Sequence, residues 1–463
     1  MTDIKQKILK TTKFLIILSL IFIIYLLYLQ VVKAEDFSRN SINLRNTIFK
    51  NNNIRGTIFD CENRPLAKNN DENIRIYPMG ESAAHIVGYA NPNIGNSGIE
   101  NYFNNELLGS TEDFKNMGYI AQIFNCKKGN NLILTLDSDV MQTAYYALEG
   151  KPGAVVVIDA KTGGVIAMVS SPSFNPNVIQ SEWQVLNENP ESPLMNRAAN
   201  GLYPPGSIIK PMMADIALSN AITDEHEIFE CGGEIDVGKG YTIKEAHNDT
   251  HGHLHLKEAL VKSCNITFGT LAMRLGAEKL ESGFERYGFY EPIRGEIFET
   301  ASLIPNFKSL DKGDMAQIGI GQSSLLVTPL RMALIASAIA NDGVLAEPYV
   351  LEKIISPSGY VLKEHKKKEL LRIMSKERAE LLSDWMEEVV ISGTGKAAKV
   401  SGIKIAGKTG TAENAKDKEH SWFMGFAEIG ERKVAFSVLV ENGGSGADVA
   451  APIAKKIILN MEK

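Results

Sequence analysis

The sequence contains little cysteine and no excess of positive charge, and each shortage excludes a class of protein. Its four cysteines, at positions 61, 126, 231 and 264, are too few and too scattered for a disulfide framework or a Cys-x-x-Cys metal site. We expect isolated, partly buried thiols, and disulfide pairing stays open because it cannot be deduced from sequence. The net charge of −6 disfavours binding to nucleic acid.

Long uncharged apolar runs are also rare, and the one that is present lies near the N-terminus, from Phe14 to Val32. It is long enough to cross a bilayer as a helix, and four lysines precede it. Because such lysines remain in the cytoplasm, the rest of the chain is expected outside the cell membrane. A cleaved signal peptide is the alternative, but the run exceeds the usual signal length of about 7–15 residues. We therefore predict an uncleaved single-pass anchor in the lipid bilayer.

Three regions follow from the pattern along the 463 residues. Residues 1–33 form the cytoplasmic stub and anchor, residues 34–128 a small polar spacer domain, and residues 129–463 a larger domain. Short strands are expected in the spacer near 54–59 and 84–89, where apolar residues cluster.

The larger domain is predicted to be an α/β domain of the α+β type. Two apolar strands at 154–159 and 165–169 are typical of a hairpin, and three more are expected near 401–412, 421–427 and 433–441. A helical region separates the two sets, and an amphipathic helix at 447–461 closes the chain. Since neither set has enough strands to bury its apolar faces, we expect one antiparallel five-stranded sheet with helices on both faces.

The segment Tyr203-Pro-Pro-Gly-Ser-Ile-Ile-Lys-Pro is the strongest candidate for a catalytic element. A proline-glycine turn leads into an apolar helical pattern, with Ser207 at its start and Lys210 one turn later. A helix start offers unpaired backbone N–H groups, and an amine three residues on lies about 5–6 Å away on the same face. A hydroxyl beside a fixed amine can act as a nucleophile without histidine.

Two further segments carry polar groups suited to the same chemistry. Ser263-Cys264-Asn265 lies inside a helical pattern, and Lys408-Thr409-Gly410-Thr411 follows an alternating strand. Each short pattern also has copies elsewhere, such as Ser309/Lys312, Ser401/Lys404 and the turn at Lys161. The prediction therefore depends on the context and order of the three segments together, and on no single one of them.

In the order Ser-x-x-Lys, Ser-x-Asn, Lys-Thr-Gly the chain resembles the penicillin-interacting serine enzymes, namely the penicillin-binding proteins and serine β-lactamases. Its flanks are similar to those of the class B, monofunctional penicillin-binding proteins. The flanking landmarks are Arg55-Gly-Thr-Ile-Phe-Asp60, Gly98-Ile-Glu100, Leu134-Thr-Leu-Asp137, Asn196-Arg-Ala198, Gly319-Ile-Gly-Gln322 and Trp422-Phe423. One departure follows Asp60: that family usually has an arginine and a glycine before Leu-Ala, whereas here Cys61, Asn63 and Arg64 precede Pro65-Leu66-Ala67.

This resemblance implies a role for each matching residue in acyl transfer from a D-alanyl-D-alanine peptide. Ser207 would attack the carbonyl and Lys210 would take its proton, with the Lys408 ammonium lowering the pKa of Lys210. Ser263 would pass the proton to the leaving amine, and Asn265 would hold Lys210 and the substrate amide.

The strand segment and two backbone groups complete the implied site. Lys408, Thr409 and Thr411 would bind the terminal carboxylate of the peptide, and Gly410 would let its backbone approach closely. The backbone N–H groups of Ser207 and Thr411 would form the oxyanion hole. No metal or cofactor is implied.

The implied function is peptidoglycan D,D-transpeptidation, in which stem peptides are cross-linked through a serine acyl-enzyme that β-lactams also form. A membrane-embedded glycan polymerase is the implied partner. A membrane-anchored D,D-carboxypeptidase or β-lactamase is the alternative, as is a penicillin sensor or an inactive scaffold. The anchor favours work at the cell wall, the retained catalytic residue types argue against a scaffold, and the short N-terminal stub leaves no output domain for a sensor.

Two other patterns suggest different functions. Gly402-Ile-Lys-Ile-Ala-Gly-Lys-Thr409 satisfies the nucleotide-binding pattern GxxxxGK[ST], but a phosphate loop needs a helix directly after its lysine, and none is indicated. His247, His251, His253 and His255 suggest a zinc site, yet no cysteine or carboxylate cluster joins them in sequence beyond Asp249. A solvated loop near the cleft is the preferred interpretation.

Overall fold

The structure, a computed structural model, describes residues 2–31, 54–109, 128–238, 241–414 and 418–462. Its α-helices are α1 (Thr2–Val31), α2 (Ala84–Val87), α3 (Gly98–Tyr102), α4 (Asn104–Leu107), α5 (Ser138–Ala147), α6 (Ile179–Glu188), α7 (Arg197–Asn200), α8 (Lys210–Ser219), α9 (Leu256–Lys262), α10 (Asn265–Arg286), α11 (Lys312–Gly319), α12 (Pro329–Ala340), α13 (Lys376–Ile391) and α14 (Ala450–Met461).

The strands are β1 (Ile58–Phe59), β2 (Pro65–Asn69), β3 (Arg75–Ile76), β4 (Ala90–Asn91), β5 (Gly95–Asn96), β6 (Asn131–Leu134), β7 (Gly153–Asp159), β8 (Val165–Ser171), β9 (Ile228–Cys231), β10 (Glu234–Gly238), β11 (Tyr241–Lys244), β12 (Gly252–His255), β13 (Val344–Ala346), β14 (Leu351–Ile355), β15 (Val361–Glu364), β16 (Glu369–Arg372), β17 (Lys404–Ala412), β18 (His420–Ile429) and β19 (Arg432–Val440).

The central five-stranded sheet has the order β17-β18-β19-β7-β8, and each of its four ladders is antiparallel. It joins the early hairpin β7-β8 to the three late strands through the pairing of β19 with β7. The predicted fold class is therefore confirmed: strands from the two ends of the domain share one sheet because neither set buries its apolar faces alone.

Helices cover this sheet in two groups. Helix α12 packs on β7, β18 and β19 and contacts α13, which packs on β17. Helix α14 packs on β18 and β19 and contacts α5, which packs on β8. Strands covered on both sides are largely apolar, and Trp422 and Phe423, neighbours in β18, are both completely buried.

A second sheet, of six strands, is mixed rather than strictly antiparallel. Its order is β15-β14-β6-β1-β2-β3, and β1 runs parallel to β6. The sheet thus joins strands of the predicted spacer to strands of the larger domain across the predicted boundary at 128/129, which itself stays a prediction.

A buried carboxylate, Glu100, pairs with two arginines in the predicted spacer. Glu100 on α3 is fully buried and pairs with Arg55 Nε at 2.5 Å and Arg75 Nε at 2.7 Å. Arg64, which follows the departure after Asp60, pairs with Asp60 at 2.7 Å and with Asp139 at 2.6 Å. The landmark that begins at Arg55 and the landmark that ends at Glu100 are therefore joined by a buried ion pair.

Two local predictions concern the N-terminal part of the chain. The expected strand at 84–89 is wrong, because residues Ala84–Val87 form the short helix α2. Among the described residues, one helix is long and apolar enough to cross a membrane, from Lys5 to Leu29. That helix is the candidate anchor. Of the four cysteines, Cys126 lies outside the described residues.

Candidate active site

The turn before Ser207 is fixed by backbone contacts. Gly206 has a φ of +57°, its N–H donates to the Gly321 carbonyl at 2.8 Å, and the indole Nε1 of Trp422 donates to the Pro204 carbonyl at 3.0 Å. A 3₁₀ turn, Gly206–Ile209, then leads into α8. This local geometry places the Ser207 side chain, which is half-buried, at the mouth of a core helix.

Lys210, at the start of α8, is fully buried and reaches the second motif. Its Nζ donates to the Ser263 carbonyl at 2.6 Å, to Ser263 Oγ at 3.2 Å and to Asn265 Oδ1 at 2.8 Å. The three N–H groups of the ammonium thus have three acceptors from a segment more than fifty positions away in the chain.

Ser263 separates two helices instead of lying within one. It follows α9 with φ 62° and ψ 38°, a left-handed conformation, and α10 begins at Asn265. The Asn265 side chain is held from behind, because its Nδ2 donates to the Lys244 carbonyl at 3.0 Å. This break in the helical pattern turns the Ser263 carbonyl and hydroxyl towards Lys210.

Strand β17, which carries the third motif, is the edge strand of the five-stranded sheet and lies against the Ser207 turn. A Cβ added at Gly410 would lie 2.9 Å from Ile208 Cγ2 and 3.1 Å from the Pro205 carbonyl oxygen. One added at Gly206 would lie 2.8 Å from the Thr411 carbonyl oxygen. Both glycines are therefore required for this close approach.

The polar side chains of β17 have few internal partners. Lys408 is fully buried, and its Nζ donates to the Thr409 carbonyl at 3.0 Å. The Thr409 hydroxyl is 2.6 Å from that of Thr394, and the Gly446 N–H donates to Thr411 Oγ1 at 3.3 Å.

The structure thus brings the three predicted motifs to one region, with one contact absent. Lys210 meets Ser263 and Asn265, and β17 abuts the turn that carries Ser207. Within the described ranges, the Ser207 hydroxyl makes no hydrogen bond, to Lys210 or to any other group.

Burial governs the charge on the two lysines. It lowers the pKa of Lys210 to about 8, although the Glu245 carboxylate acts in the opposite direction. It also lowers the pKa of Lys408 well below its ordinary value, and the charge on Lys210 lowers it further. The expectation that Lys408 lowers the pKa of Lys210 is therefore corrected. Lys408 loses its proton first, so the repulsion between the two ammonium groups lowers the pKa of Lys408 and not that of Lys210.

Glu245 is a buried carboxylate behind the site that sequence reasoning missed. Its oxygens accept the N–H groups of Asn265 at 3.0 Å and Ile266 at 2.9 Å, at the start of α10. Burial alone would raise the pKa of Glu245, but these donors and the Cys264 thiol hold it below its ordinary value. Nothing in the sequence distinguishes this residue from the surface glutamates.

Glu441 is a second residue that the sequence did not single out. It accepts the Tyr203 hydroxyl and the Nε of buried Arg197, both at 2.7 Å. This carboxylate therefore joins the Asn196-Arg-Ala landmark to Tyr203, the first residue of the candidate catalytic segment.

The nucleotide-binding interpretation of residues 402–409 does not fit the structure. Strand β17 continues through Lys408 to Ala412, so the helix that a phosphate loop requires after its lysine is replaced by extended chain.

The histidine-rich segment is partly as expected. His253 and His255 lie on β12 and are exposed, whereas the side chain of His247 is outside the described residues. The expectation that no thiol or carboxylate cluster joins these histidines is wrong for His251. Its Nδ1 and the side chains of Cys231, Glu245 and Cys264 place four potential ligand atoms within 4.8 Å of one another. Those donors come from three other segments, so spacing along the chain could not reveal them.

Comparison with known proteins places this geometry in context. A family model described as the penicillin binding protein transpeptidase domain matches residues 153–459, and one described as the penicillin binding protein A dimerisation domain matches residues 55–131. The chain is 30% identical over 426 residues to the peptidoglycan D,D-transpeptidase PbpA of Mycolicibacterium smegmatis, covering 83% of each chain. It is 29% identical over 448 residues to the peptidoglycan D,D-transpeptidase MrdA of Acinetobacter baumannii, covering 84% of this chain and 66% of that protein.

Among solved structures, penicillin-binding protein A from Mycobacterium tuberculosis, as a ceftriaxone acyl-enzyme complex, has a TM-score of 0.83 and 29% identity. The match covers 89% of this chain and 99% of that one. The D,D-transpeptidase domain of a peptidoglycan glycosyltransferase from Eggerthella lenta has a TM-score of 0.79 and 32% identity, and the match covers 88% and 98% of the two chains.

Proposed function

Because this chain belongs to the penicillin-binding protein transpeptidase family, we propose that its reaction proceeds through an acyl-enzyme on Ser207. The chain is a serine-type peptidoglycan D,D-transpeptidase, of the class B type, and β-lactams acylate and inhibit it. Each step of that reaction has a candidate residue among those that meet at the site.

The observation that carries the assignment is the contact of Lys210 Nζ with Ser263 Oγ and Asn265 Oδ1, one helical turn after Ser207. Only the neutral amine of Lys210 can accept the Ser207 proton. A pKa of about 8 leaves the Lys210 amine neutral in roughly a tenth of the molecules at pH 7. The contact between the Ser207 hydroxyl and this amine forms as substrate binds, since catalytic hydrogen bonds often tighten only in the complex.

Ser263 and Asn265 serve the leaving group and the substrate amide. We assign to the Ser263 hydroxyl the transfer of the proton from Lys210 to the leaving D-alanine nitrogen, and its distance of 3.2 Å from Lys210 Nζ supports this role. Asn265 keeps one end of its amide on Lys210 and the other on the Lys244 carbonyl, which fixes the orientation of both partners.

The β17 edge takes the terminal carboxylate of the stem peptide. Lys408, Thr409 and Thr411 supply an amine and two hydroxyls along it, and Gly410 admits the peptide backbone. A bound carboxylate would favour the charged form of Lys408, which burial disfavours in the free enzyme. Lys408 would therefore gain its proton and its positive charge when the carboxylate of the peptide binds.

The oxyanion hole is assigned to the backbone N–H groups of Ser207 and Thr411. The Ser207 N–H lies at the start of the helical turn, where backbone donors lack acceptors within the helix. In related chemistry each such donor stabilises the transition state by about 3–4 kcal/mol.

The acceptor that resolves the acyl-enzyme is the side-chain amine of a neighbouring stem peptide. The alternatives, a D,D-carboxypeptidase or a β-lactamase, use water instead. Incubating the full chain in detergent with a thioester donor and an amine acceptor distinguishes them. A cross-linked product and a long-lived penicillin adduct are expected, whereas hydrolysis with rapid release of penicillin would contradict transpeptidation.

The proposed topology is a single-pass membrane protein with a cytoplasmic N-terminus. Helix α1, with its preceding lysines, supports it. Protease added outside spheroplasts is expected to digest the domain after residue 33, and protection of that domain would contradict the topology.

A membrane-embedded glycan polymerase is the proposed partner. Its co-purification with the full chain, lost when residues 54–109 are replaced, would support that assignment.

Labelling of the full chain with fluorescent penicillin tests the assignment of Ser207. We expect Ser207→Ala to abolish labelling. Ser309→Ala and Ser401→Ala are matched controls, because each removes a serine from another Ser-x-x-Lys sequence on the exposed surface, and both should label as wild type. Labelling that survives Ser207→Ala would overturn the assignment.

A further inference from the structure

A cavity of about 560 Å³ lies between the predicted spacer and the larger domain. Its walls come from residues 84–102 on one side and from residues 174–200 and 295–298 on the other. Its volume falls within the range of about 300–1,000 Å³ that is usual for small-molecule sites. None of the residues assigned to acyl transfer lines this cavity, so the proposed reaction gives it no role.

Aromatic rings form much of the cavity wall. Tyr89 meets Phe174 and Trp183 edge to face, with ring centroids 6.0 Å and 6.3 Å apart. Tyr102 and the exposed Phe298 add two further rings to the lining. Because the first three rings come from both sides of the cavity and pack on one another, their positions are fixed before a ligand binds. The cavity thus offers rigid, flat apolar faces.

The polar groups of the wall are mainly amides and hydroxyls that can form further hydrogen bonds. Within the described part of the chain, the Asn101 amide makes no hydrogen bond, and the Asn196 amide nitrogen meets only the Met168 sulfur, at 3.7 Å. Ser97 Oγ accepts the Tyr89 N–H at 3.2 Å, which leaves its own proton to donate. A side-chain amide offers a donor and an acceptor in one plane, so a ligand with the same pair would match it.

The cavity wall carries little charge. Among its described residues Glu296 is the one charged group at pH 7, and its Oε2 accepts the N–H groups of Val350 and Leu351 at 2.7 Å and 2.8 Å. Burial lowers the pKa of His85 to about 4, so its ring is neutral. A phosphate or a free carboxylate would meet a carboxylate and no cation in this described wall. A neutral ligand is therefore favoured.

We propose that this cavity binds an N-acetylated amino sugar of a peptidoglycan glycan strand. Such a sugar is neutral, its ring presents flat C–H faces to aromatic rings, and its acetamido group carries the donor and acceptor that a side-chain amide complements. Stem peptides are attached to strands of these sugars, so the cavity binds a part of the substrate that the Ser207 cleft does not. The consequence for cross-linking rests on the proposed function, whereas sugar binding itself does not.

The cavity is connected to the catalytic segment through α7. Asn200, the last residue of α7, lines the cavity, and seven positions separate it from Ser207, a span of at most about 25 Å of extended chain. Arg197, the first residue of α7, shares the Glu441 carboxylate with the Tyr203 hydroxyl, both at 2.7 Å. A strand held in the cavity therefore keeps its stem peptides close to the nucleophile.

Calorimetric titration of the full chain in detergent with tetra-N-acetylchitotetraose tests the binding. Trp183→Ala and Asn101→Ala should each weaken it at least about fivefold, because they remove an aromatic face and an amide from the wall. Tyr360→Ala and Asn93→Ala are matched controls, since each removes an exposed side chain outside the cavity wall, and both should bind as wild type does. Equal binding by Trp183→Ala would overturn the proposal.

A measurement on the wild type keeps the test independent of how the variants fold. Of the three tryptophans, Trp385 and Trp422 are buried in the core, so the sugar should change the fluorescence of Trp183. Cellotetraose, which lacks acetamido groups, and fully deacetylated chitotetraose, which carries ammonium groups instead, should bind at least about tenfold more weakly. No binding of the acetylated sugar, equal binding of cellotetraose, or tighter binding of the ammonium form to the aromatic rings would each contradict the proposal.

Turnover separates this proposal from the proposed function. The same stem-peptide donor is supplied free and attached to a glycan strand, and the ratio of the attached to the free rate should fall at least about fivefold in Trp183→Ala. An unchanged ratio would refute the role in substrate binding. A chain that penicillin acylates but that binds no sugar would refute the sugar site alone. A chain that binds the sugar but that penicillin never acylates would refute the proposed function and leave the sugar site intact.

Discussion

The Nζ atom of Lys210 lies 2.8 Å from Oδ1 of Asn265, although 55 positions separate the two residues in the chain. This hydrogen bond joins the first motif to the second at the centre of a buried site. Because Lys210 is fully buried, its charge is sustained by these few acceptors, so small changes around it alter both its pKa and its reactivity.

Replacing Lys210 by arginine tests its role as a base. Arginine keeps the positive charge but does not release a proton in proteins, so Lys210→Arg should lower the rate of penicillin acylation at least about a hundredfold. The second-order rate constant from stopped-flow labelling measures this. Lys404→Arg, at the partly exposed lysine of another Ser-x-x-Lys sequence, should change it less than about twofold. A Lys210→Arg variant within tenfold of wild type would exclude the lysine as the base.

The acylation rate should rise with pH and level off above about 9. The protonated amine has no lone pair, and with a pKa of about 8 the neutral fraction of Lys210 grows about fivefold between pH 7 and pH 8. Rates measured from pH 6 to 10, corrected for spontaneous penicillin hydrolysis, check this. Tryptophan fluorescence serves as the control for folding. A flat or falling profile would contradict a neutral lysine base.

The left-handed backbone of Ser263 allows its hydroxyl to be tested apart from its conformation. Ser263→Gly and Ser263→Ala both remove the hydroxyl and should both slow turnover about a hundredfold or more. Only glycine adopts φ 62° without strain, so Ser263→Gly should be more stable than Ser263→Ala by about 1 kcal/mol. If the more stable glycine variant kept nearly wild-type turnover and only the alanine variant lost it, the hydroxyl would not be needed.

Glu100 should be essential for the stability of the spacer. Glu100→Gln leaves Arg55 and Arg75 without their buried carboxylate and should lower the free energy of unfolding by about 3–5 kcal/mol. Thermal unfolding of the full chain measures this. Glu62→Gln removes an exposed partner of Arg64 at 3.5 Å and should cost under about 1 kcal/mol. Equal shifts in the two variants would contradict the importance of burial.

The sequence predicted the parts of the site that depend on local order. Ser207 and Lys210 share one helix start, and Lys408 to Thr411 lie in one strand, so periodicity placed them on the correct elements. Short apolar runs were less informative: residues 84–87 are helical because a few apolar residues suit a strand and a helical turn equally well.

The proximity of Cys231, Glu245, His251 and Cys264 could not be predicted because these residues meet only through tertiary structure. The register of β12 on β9 brings His251 next to Cys231. The break in the helical pattern at Ser263 places the first residue of α10 in contact with the Glu245 carboxylate. Neither the register of two short strands nor a single left-handed residue leaves a signal in apolar periodicity. Spacing therefore grouped His251 with other histidines rather than with its spatial neighbours.

The most direct test of the central claim is the site of acylation. The full chain is incubated with penicillin, digested, and mapped by tandem mass spectrometry. A penicilloyl group on the Ser207 hydroxyl, in the peptide that contains Lys210, is the predicted result. An adduct on Ser263 or on any other residue, or a folded protein that carries no adduct, would contradict the account.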